Sequence, residues 1–246
     1  MKKHLVVATG NKNKMREIRE ILKDLDVEIL SMEEAGVCAD IVEDGSSFEE
    51  NAVIKAKTVA LSCGEMAIAD DSGLVIDALD GAPGIHSARF MGHDTPYEKK
   101  NEELIRRVNE FCKTHETENI PQDADKDGGS AAGRGAGDLS FRPGAEADGK
   151  PGPLRSARFV CAVAVAWPDG RTVTSVGTME GRIAWERKGE NGFGYDPIFF
   201  LPQYGMTSAQ ISPEEKNRIS HRGQAFRAMH ALLEKELGKA ADGEDL

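Results

Sequence analysis

The first half of the chain alternates between short apolar runs and segments whose apolar residues recur at helical spacing. The run HLVVAT (4–9) predicts a buried strand, and GNKNK (10–14) follows it as a loop. Apolar residues then recur at helical spacing over residues 15–25, and VEIL (27–30) predicts a second strand. This order of strand, loop, helix and strand is typical of an α/β fold.

A second helix is predicted to begin after Ser47, because Ser47 and Glu50 have the spacing of a capping box and small residues follow at helical intervals. The apolar runs MAIAD (66–70) and LVIDAL (74–79) then predict strands on the two sides of a DDSG turn. A third helix is predicted over residues 95–112. The alternation of strands and helices therefore continues to this point.

The second half of the ordered chain has a different pattern. The apolar segment 158–167, the turn signal Asp169-Gly170 and the segment 171–179 predict a hairpin. PIFFLP (197–202) predicts a short strand, and a helical pattern from Ser212 onwards is interrupted near His221. Helix–strand alternation followed by a hairpin predicts an α/β fold with a mixed β-sheet.

One internal segment has no apolar periodicity. Residues 114–156 are rich in Gly, Ala, Asp and Pro, so they bury too little surface to offset the entropy of ordering. We predict a disordered insertion there, within a single domain spanning residues 1–240. Residues 241–246 form a polar tail.

Composition narrows the class of protein. The 246 residues carry a formal net charge of −11, which disfavours broad binding to nucleic acid or to an anionic membrane. The four cysteines are scattered without paired spacing, as is typical of reduced thiols, and the N-terminal apolar run is too short for a signal peptide. We therefore predict a cytoplasmic protein without nucleic-acid or membrane partners.

The loop in ATGNKNK (8–14) is a candidate phosphate site. A strand, a glycine turn and a helix start place free backbone N–H groups and the positive end of a helix dipole together. Asn11, Lys12 and Lys14 add donors and charge. The spacing is not that of a P-loop, and an ordinary strand–helix loop with solvated lysines remains an alternative.

The acidic pair Asp70-Asp71 is the second candidate. Two neighbouring carboxylates at the end of a buried strand need a positive partner. Glu43 and Lys55 belong to nearby segments, and carboxylates gathered near a phosphate pocket are what Mg²⁺ prefers. The alternative is a turn and capping device.

Two further segments carry aromatic and basic residues. In GENGFGYDP (189–197), three glycines indicate close backbone approach, and Phe193 and Tyr195 offer rings on which a base can stack. In SHRG (220–223), His221 and Arg222 offer hydrogen-bond donors to a base edge. A flexible hairpin and a surface basic pair are the alternatives.

In this order, the motifs ATGNKNKMREI, FEENAVIKAK, AIADDSGLVIDALDGAPGIHSARF, GFGYDPIFF and EEKNRISHRGQA resemble the inosine triphosphate pyrophosphatase family (HAM1- or RdgB-like proteins). The resemblance covers residues 5–237 apart from the insertion. It implies an elongated mixed α/β fold with two lobes around a deep cleft, and a homodimer. It also implies Mg²⁺-dependent hydrolysis of ITP, dITP and XTP to the monophosphate and pyrophosphate.

The resemblance also implies roles for residues at matching positions. Asp71 would be the catalytic acid–base residue, and Asp71, Glu43 and Asp70 would be the metal ligands. The remaining positions would bind substrate. The residues implied on the triphosphate are Thr9, Gly10, Asn11, Lys12, Asn13, Lys14 and Lys55, and Ser72 would also contact the substrate. The residues implied around the base and sugar are Phe193, Gly194, Tyr195, Asp196, Lys216, His221 and Arg222.

Two other functions remain open. The same chemistry can act on another modified nucleotide, such as a pyrimidine triphosphate. A nucleotide sensor would keep the pocket without turnover, although binding alone does not require a carboxylate cluster.

Overall fold

The computed structural model describes residues 3–118, 142–146 and 149–242, and its centre is a seven-stranded mixed sheet. The strands lie in the order β2-β1-β3-β4-β5-β6-β7. Their bounds are β1 Lys3–Val7, β2 Val27–Ser31, β3 Met66–Ile76, β4 Ser156–Ala166, β5 Thr172–Ile183, β6 Phe199–Leu201 and β7 Met206–Thr207. Strands β1, β2 and β3 are parallel, and the remaining pairs are antiparallel. The predicted mixed α/β sheet is confirmed.

Five α-helices cover this sheet within the described residues: α1 Lys12–Ile21, α2 Phe48–Cys63, α3 Tyr97–Glu118, α4 Pro213–Ile219 and α5 His221–Asp242. Helix α2 begins as predicted, because the Ser47 side chain accepts a hydrogen bond from the Glu50 N–H. The helical pattern near the C-terminus is interrupted as predicted, since Ser220 separates α4 from α5. None of the described helices is long and apolar enough to span a membrane.

Strand β3 is longer than the sequence indicated. The predicted DDSG turn is wrong, because residues 66–76 form one continuous strand that pairs with β4 over ten positions, Ala67 to Ile76. Gly73 is needed in this strand because a Cβ there would lie 2.4 Å from the Gly84 carbonyl oxygen. The two aspartates therefore lie in the middle of a strand, where their side chains point to opposite faces of the sheet.

Alternation along β3 separates two cores. Ile68 packs with α1 and α5, whereas Ala67 and Ala69 pack against the small-residue side of α2. We call these two sides of β3 the Asp70 face and the Asp71 face, after the aspartate that each carries. Further along β3, Leu74 and Ile76 pack with α3 in a third core. The Asp70 face thus carries two lobes, one built on α1 and α5 and one on α3.

The predicted limits of the insertion are too wide. Helix α3 extends to Glu118, and Arg155 is fully buried rather than part of a disordered segment. Its guanidinium donates to the Ile183 carbonyl at 2.6 Å, to Asn109 Oδ1 at 2.7 Å and to the Pro143 carbonyl at 3.0 Å. These contacts tie residues on both flanks of the segment into the α3 lobe. Residues 119–141 and 147–148 lie outside the described residues, so the prediction of disorder there is not tested.

Candidate active site

A cavity of about 480 Å³ lies between the two lobes, where the edge of β3 opposite β4 pairs with no strand in the described part of the chain. Strand β1 pairs with β3 as far as Val7 and Ile68, and the next pairing described on that side is the Val75–Pro83 bridge. The cavity therefore meets the edge of β3, where it reaches Asp70 and Ser72 on one face of the strand and Lys55, the ion-pair partner of Asp71, on the other. The predicted residues that line it are Thr9, Gly10, Asn11, Lys14, Glu43, Lys55, Asp70, Ser72, Phe193, Gly194, Tyr195, Asp196, Lys216, His221 and Arg222.

Three predicted residues do not line this cavity. Lys12 borders an adjoining groove on the outer side of α1. Asn13 lies in the first turn of α1, and its side chain is outside the described residues. Asp71 lies behind Lys55, with which it makes an ion pair of 3.2 Å.

The loop before α1 is shaped by its own side chains. The Asn11 N–H donates to Thr9 Oγ1 at 3.2 Å, and Asn11 Oδ1 accepts from the Lys14 N–H at 3.2 Å. Asn11 thus caps the start of α1 and holds the loop open towards the cavity. The predicted combination of a helix N-terminus and a lysine is present here, because Lys14 lies in the first turn and reaches into the cavity.

On the Asp70 face, the carboxylate of Asp70 is surrounded by donors. Lys14 Nζ and Ser72 Oγ each donate to Asp70 Oδ2 at 2.8 Å, and Arg222 Nε lies 3.6 Å from the same oxygen. Arg222 also donates to Glu17 Oε2 at 3.0 Å. Burial raises the pKa of Asp70, but Lys14 and Arg222 more than offset it, so the pKa lies well below its usual value. Asp70 is therefore ionised and connects Lys14, in the first turn of α1, with Arg222 at the start of α5.

On the Asp71 face, the partners come from α2 and the loop before it. Lys55 Nζ lies 3.2 Å from Asp71 Oδ1 and 3.4 Å from Glu43 Oε1. Asn51 Nδ2 donates to Asp71 Oδ2 at 3.3 Å, and Asn51 Oδ1 accepts from the Gly45 N–H at 2.9 Å. Burial raises the pKa of Asp71, and Lys55 offsets it only in part, so the pKa remains above its usual value.

The three predicted metal ligands are not brought together. Within the described residues, no group of three or more His, Cys, Asp or Glu side chains is arranged to hold a metal ion. The reason is the strand geometry, which points Asp70 towards Lys14 and Arg222, away from Glu43 and Asp71. Glu43 and Asp71 do converge, since both contact Lys55.

The glycine-rich loop contributes two aromatic residues to the cavity lining, and they differ in exposure. Phe193 is exposed, and Lys216 Nζ and the Arg222 guanidinium lie 5.1 Å and 5.7 Å from its centroid. Tyr195 is instead buried, and its hydroxyl donates to the Ser87 carbonyl at 2.7 Å. The ring available for stacking is therefore that of Phe193 rather than Tyr195.

Asp196 fixes the shape of this loop. Its Oδ2 accepts from the Phe193 N–H at 2.8 Å and from Lys216 Nζ, and its Oδ1 accepts from Ser208 Oγ at 2.9 Å. Gly192 has a φ of +78°, and a Cβ there would lie 2.2 Å from Asp196 Oδ2. Glycine is thus required for the turn that brings Phe193 to the cavity.

His221 stacks on Phe159, with ring centroids 4.9 Å apart, and its Nδ1 is buried without a hydrogen-bond partner. Burial, together with Arg222 and Lys216, lowers the pKa of His221 well below its usual value. The imidazole is therefore neutral at physiological pH, with one nitrogen as donor and the other as acceptor.

Sequence reasoning missed Asn51, Glu17 and Phe159, which contact the predicted site residues Asp71, Arg222 and His221. Two of them carried a signal. Asn51 is four residues before Lys55, and Glu17 is three residues after Lys14, so each shares a helix face with a predicted residue. Phe159 lies in an alternating apolar strand pattern, so the sequence did not distinguish it from an ordinary core residue.

The chain was compared with known proteins. A family model described as the Ham1 family matches residues 5–120 and 145–232, which leaves out much of the predicted insertion. A dITP/XTP pyrophosphatase of Desulforamulus reducens is 39% identical over 229 residues, covering 93% of this chain and 94% of that protein. One from Exiguobacterium sibiricum is 38% identical and covers 96% of this chain and 99% of its own length.

Solved structures give the same match. The Ham1 protein of Staphylococcus aureus superposes with a TM-score of 0.72 at 34% identity, covering 95% of this chain and 100% of that one. A HAM1 protein from Coxiella burnetii superposes with a TM-score of 0.70, also at 34% identity, covering 95% of this chain and 99% of that one.

Proposed function

Since the chain belongs to the Ham1 family, we propose that it hydrolyses the deaminated purine nucleoside triphosphates ITP, dITP and XTP to the monophosphate and pyrophosphate. One observation carries this proposal. A single cavity at the edge of β3 is lined by the loop that leads into the N-terminus of α1, by two lysines from different helices, Lys14 and Lys55, and by Glu43. Such a cavity is suited to bind a polyphosphate next to the carboxylates of Glu43 and Asp71.

The donors on the Asp71 face fit a magnesium ion. Glu43 and Asp71 present hard carboxylate oxygens that already converge on one cation, the Lys55 ammonium. Mg²⁺ is commonly held by one or two carboxylates together with substrate phosphates and water. Glu43 and Asp71 would hold it here, and the bound ion would neutralise charge on the phosphoryl oxygens and acidify the attacking water.

The chain's own residues supply positioning and proton transfer. The backbone N–H groups at the start of α1, together with Lys14 and Lys55, would hold the triphosphate. Asp71 would take a proton from the water that attacks the α-phosphorus, and pyrophosphate would leave. The raised pKa of Asp71 brings it nearer to the working pH, which favours a general base.

The other end of the cavity would bind the nucleoside. The exposed ring of Phe193 would stack on the base, while His221 and Arg222 would lie at its edge. Donors facing a 6-keto oxygen discriminate against adenine, because its amino group leaves them unpaired at a cost of about 1–3 kcal/mol per buried group. Asp70 would orient Lys14 and Arg222 from below the cavity rather than bind the metal.

A substrate panel tests the function. The protein is incubated with Mg²⁺ and ITP, dITP, XTP, ATP, GTP, dUTP or a methylated pyrimidine triphosphate, and pyrophosphate and orthophosphate are measured separately. We expect pyrophosphate release to be fastest with the three deaminated purines. A tenfold preference for dUTP or a methylated pyrimidine triphosphate would contradict the purine assignment. Tight binding of ITP without pyrophosphate release would indicate a sensor.

The homodimer, implied by family resemblance, is also proposed. Light scattering coupled to size-exclusion chromatography tests it, because a monomer and a dimer of this chain differ twofold in mass. The cytoplasmic location stays a prediction.

A further inference from the structure

Lys55 lies between the two carboxylates that the proposed function gives to the metal. Its Nζ is 3.2 Å from Asp71 Oδ1 and 3.4 Å from Glu43 Oε1, and its side chain is only 10% exposed. It projects from the middle of α2, whose start is capped by Ser47. The lysine stem is therefore anchored on a fixed helix, while its flexible end reaches into the cavity.

The two acids need a cation whether or not a metal is bound. Asp71 is buried, and the nearby Glu43 raises its pKa further, so the Asp71 carboxylate is costly without a positive partner, and Glu43, whose side chain is 35% exposed, adds to the negative charge beside it. Lys55 meets this need, because its ammonium lies between the two carboxylates. A divalent ion held directly by the same oxygens would lie within a few ångströms of the ammonium, where like charges repel strongly.

We propose that Lys55 is a place-holding cation: it neutralises Glu43 and Asp71 in the metal-free protein and moves from them to the triphosphate when the metal binds. This inference rests on the proposed function. Lysine suits the task because its ammonium is a compact charge on four rotatable carbons. Lys14 and the loop before α1, which are proposed to hold the triphosphate, line the same cavity as Lys55. A Lys55 ammonium that leaves the carboxylates can therefore turn towards the triphosphate.

The exchange makes metal and substrate binding cooperative. Metal alone must compete with Lys55 for the carboxylates, whereas a triphosphate attracts the displaced ammonium and removes this competition. By linkage, each ligand then strengthens the binding of the other. Removal of Lys55 is therefore expected to have opposite effects on metal affinity and on turnover.

Metal binding to the nucleotide-free protein provides the test. Mn²⁺ is titrated into wild type, Lys55→Met, Lys14→Met and Glu43→Gln, and free Mn²⁺ is followed by electron paramagnetic resonance. We expect Lys55→Met to bind Mn²⁺ at least tenfold more tightly than wild type, although its kcat/KM for ITP with Mg²⁺ falls at least tenfold. Lys14→Met is the matched control, because it removes a lysine from the same cavity that pairs with Asp70 instead, and its Mn²⁺ affinity should change less than threefold.

Unchanged or weaker Mn²⁺ binding in Lys55→Met would overturn the inference. If Lys55→Met does not fold, as judged by circular dichroism, Lys55→Gln replaces it with the same expectation. Failure of the proposed function has a different signature. In that case wild type releases no pyrophosphate from ITP, and Glu43→Gln binds Mn²⁺ as wild type does. Weaker binding in Glu43→Gln with normal turnover of ITP by wild type, but no gain in Lys55→Met, would refute the place-holding role alone.

Discussion

The two faces of β3 place neighbouring aspartates in opposite electrostatic environments. Asp70 meets Lys14, Ser72 and Arg222, and its pKa lies below its usual value. Asp71 meets Lys55 and Asn51, and its pKa lies above its usual value, because burial outweighs the single lysine that it shares with Glu43.

This difference shows how one strand can serve two purposes. The oxygens of Asp70 already interact with several protein donors, so Asp70 is suited to orienting Lys14 and Arg222. A carboxylate whose charge is poorly compensated is suited to bind a metal or accept a proton. The open edge of β3 then lets one ligand contact the groups of both faces.

The largest effect is expected from Asp71→Asn, which removes the proposed base without changing the side-chain shape. General-base catalysis contributes about 10²–10⁴-fold, so we expect kcat for ITP to fall about a thousandfold. Equilibrium binding of ITP, measured by calorimetry, should remain within about fivefold. A kcat within tenfold of wild type would contradict the assignment of Asp71.

Asp70→Asn is the matched change on the other face. We expect kcat/KM for ITP to fall about thirtyfold, mostly through KM, because Lys14 and Arg222 lose the anion that orients them; this corresponds to about 2 kcal/mol. The Mg²⁺ concentration for half-maximal rate should stay within about twofold of wild type. If Asp70 were a metal ligand, that concentration would rise tenfold while KM at saturating Mg²⁺ stayed constant.

The two variants should also differ in the sign of their stability change. The low pKa of folded Asp70 stabilises the fold above the unfolded pKa of about 3.9, so Asp70→Asn should lower the unfolding free energy at pH 7 by about 3 kcal/mol. This deficit should shrink only below about pH 4. The raised pKa of folded Asp71 has the opposite effect, so Asp71→Asn should be more stable than wild type at pH 7.

As the pH is lowered, the extra stability of Asp71→Asn over wild type should disappear at a higher pH than the stability loss of Asp70→Asn. The reason is that the pKa of folded Asp71 lies above the pKa of the unfolded state. Urea unfolding from pH 8 to about pH 3 measures both differences. Equal changes in the two variants, or a loss of stability in both, would contradict the contrast between the faces.

A change within the predicted insertion should have the smallest effect. Replacement of residues 121–140 by a short Gly/Ser linker should leave kcat/KM for ITP within about threefold, since this segment lies within the part that the family match leaves out. Arg155→Met is the contrasting variant, because it removes a buried guanidinium from the α3 lobe, and it should lower the melting temperature. A loss well beyond threefold on linker replacement would show that this segment reaches the cavity.

Much of the fold could be predicted from local pattern. The first strand (predicted at 4–9, observed at Lys3–Val7), the helix capped by Ser47, the hairpin at Asp169-Gly170 and the break before His221 depend on periodicity, capping and turn residues, which act over a few positions. Most of the predicted site residues also line one cavity, as the combination of motifs indicated. The exceptions depend on contacts between segments that are far apart in sequence.

The different partners and pKa values of Asp70 and Asp71 could not be predicted from local pattern. The DDSG segment has the composition of a turn, and only pairing with β4 extends β3 through it and fixes which aspartate points to which face. Likewise, Arg155 was assigned to a disordered segment because neighbouring residues lack apolar periodicity. Its burial depends on carbonyl groups of residues 183 and 184, which the chain brings to it only when folded.

The sequence by itself determined most of the strand and helix order, the lysine-bearing loop before α1, and which acidic residues take part in the site, because local patterns and residue types encode these features directly. Only the tertiary structure decided that Lys14 and Arg222 hold Asp70 while Lys55 joins Glu43 to Asp71. The physical reason is that the charge state and partners of a buried group depend on what surrounds it in space. Those surroundings come from α1, α2, α5 and β3 together, and no single segment contains them.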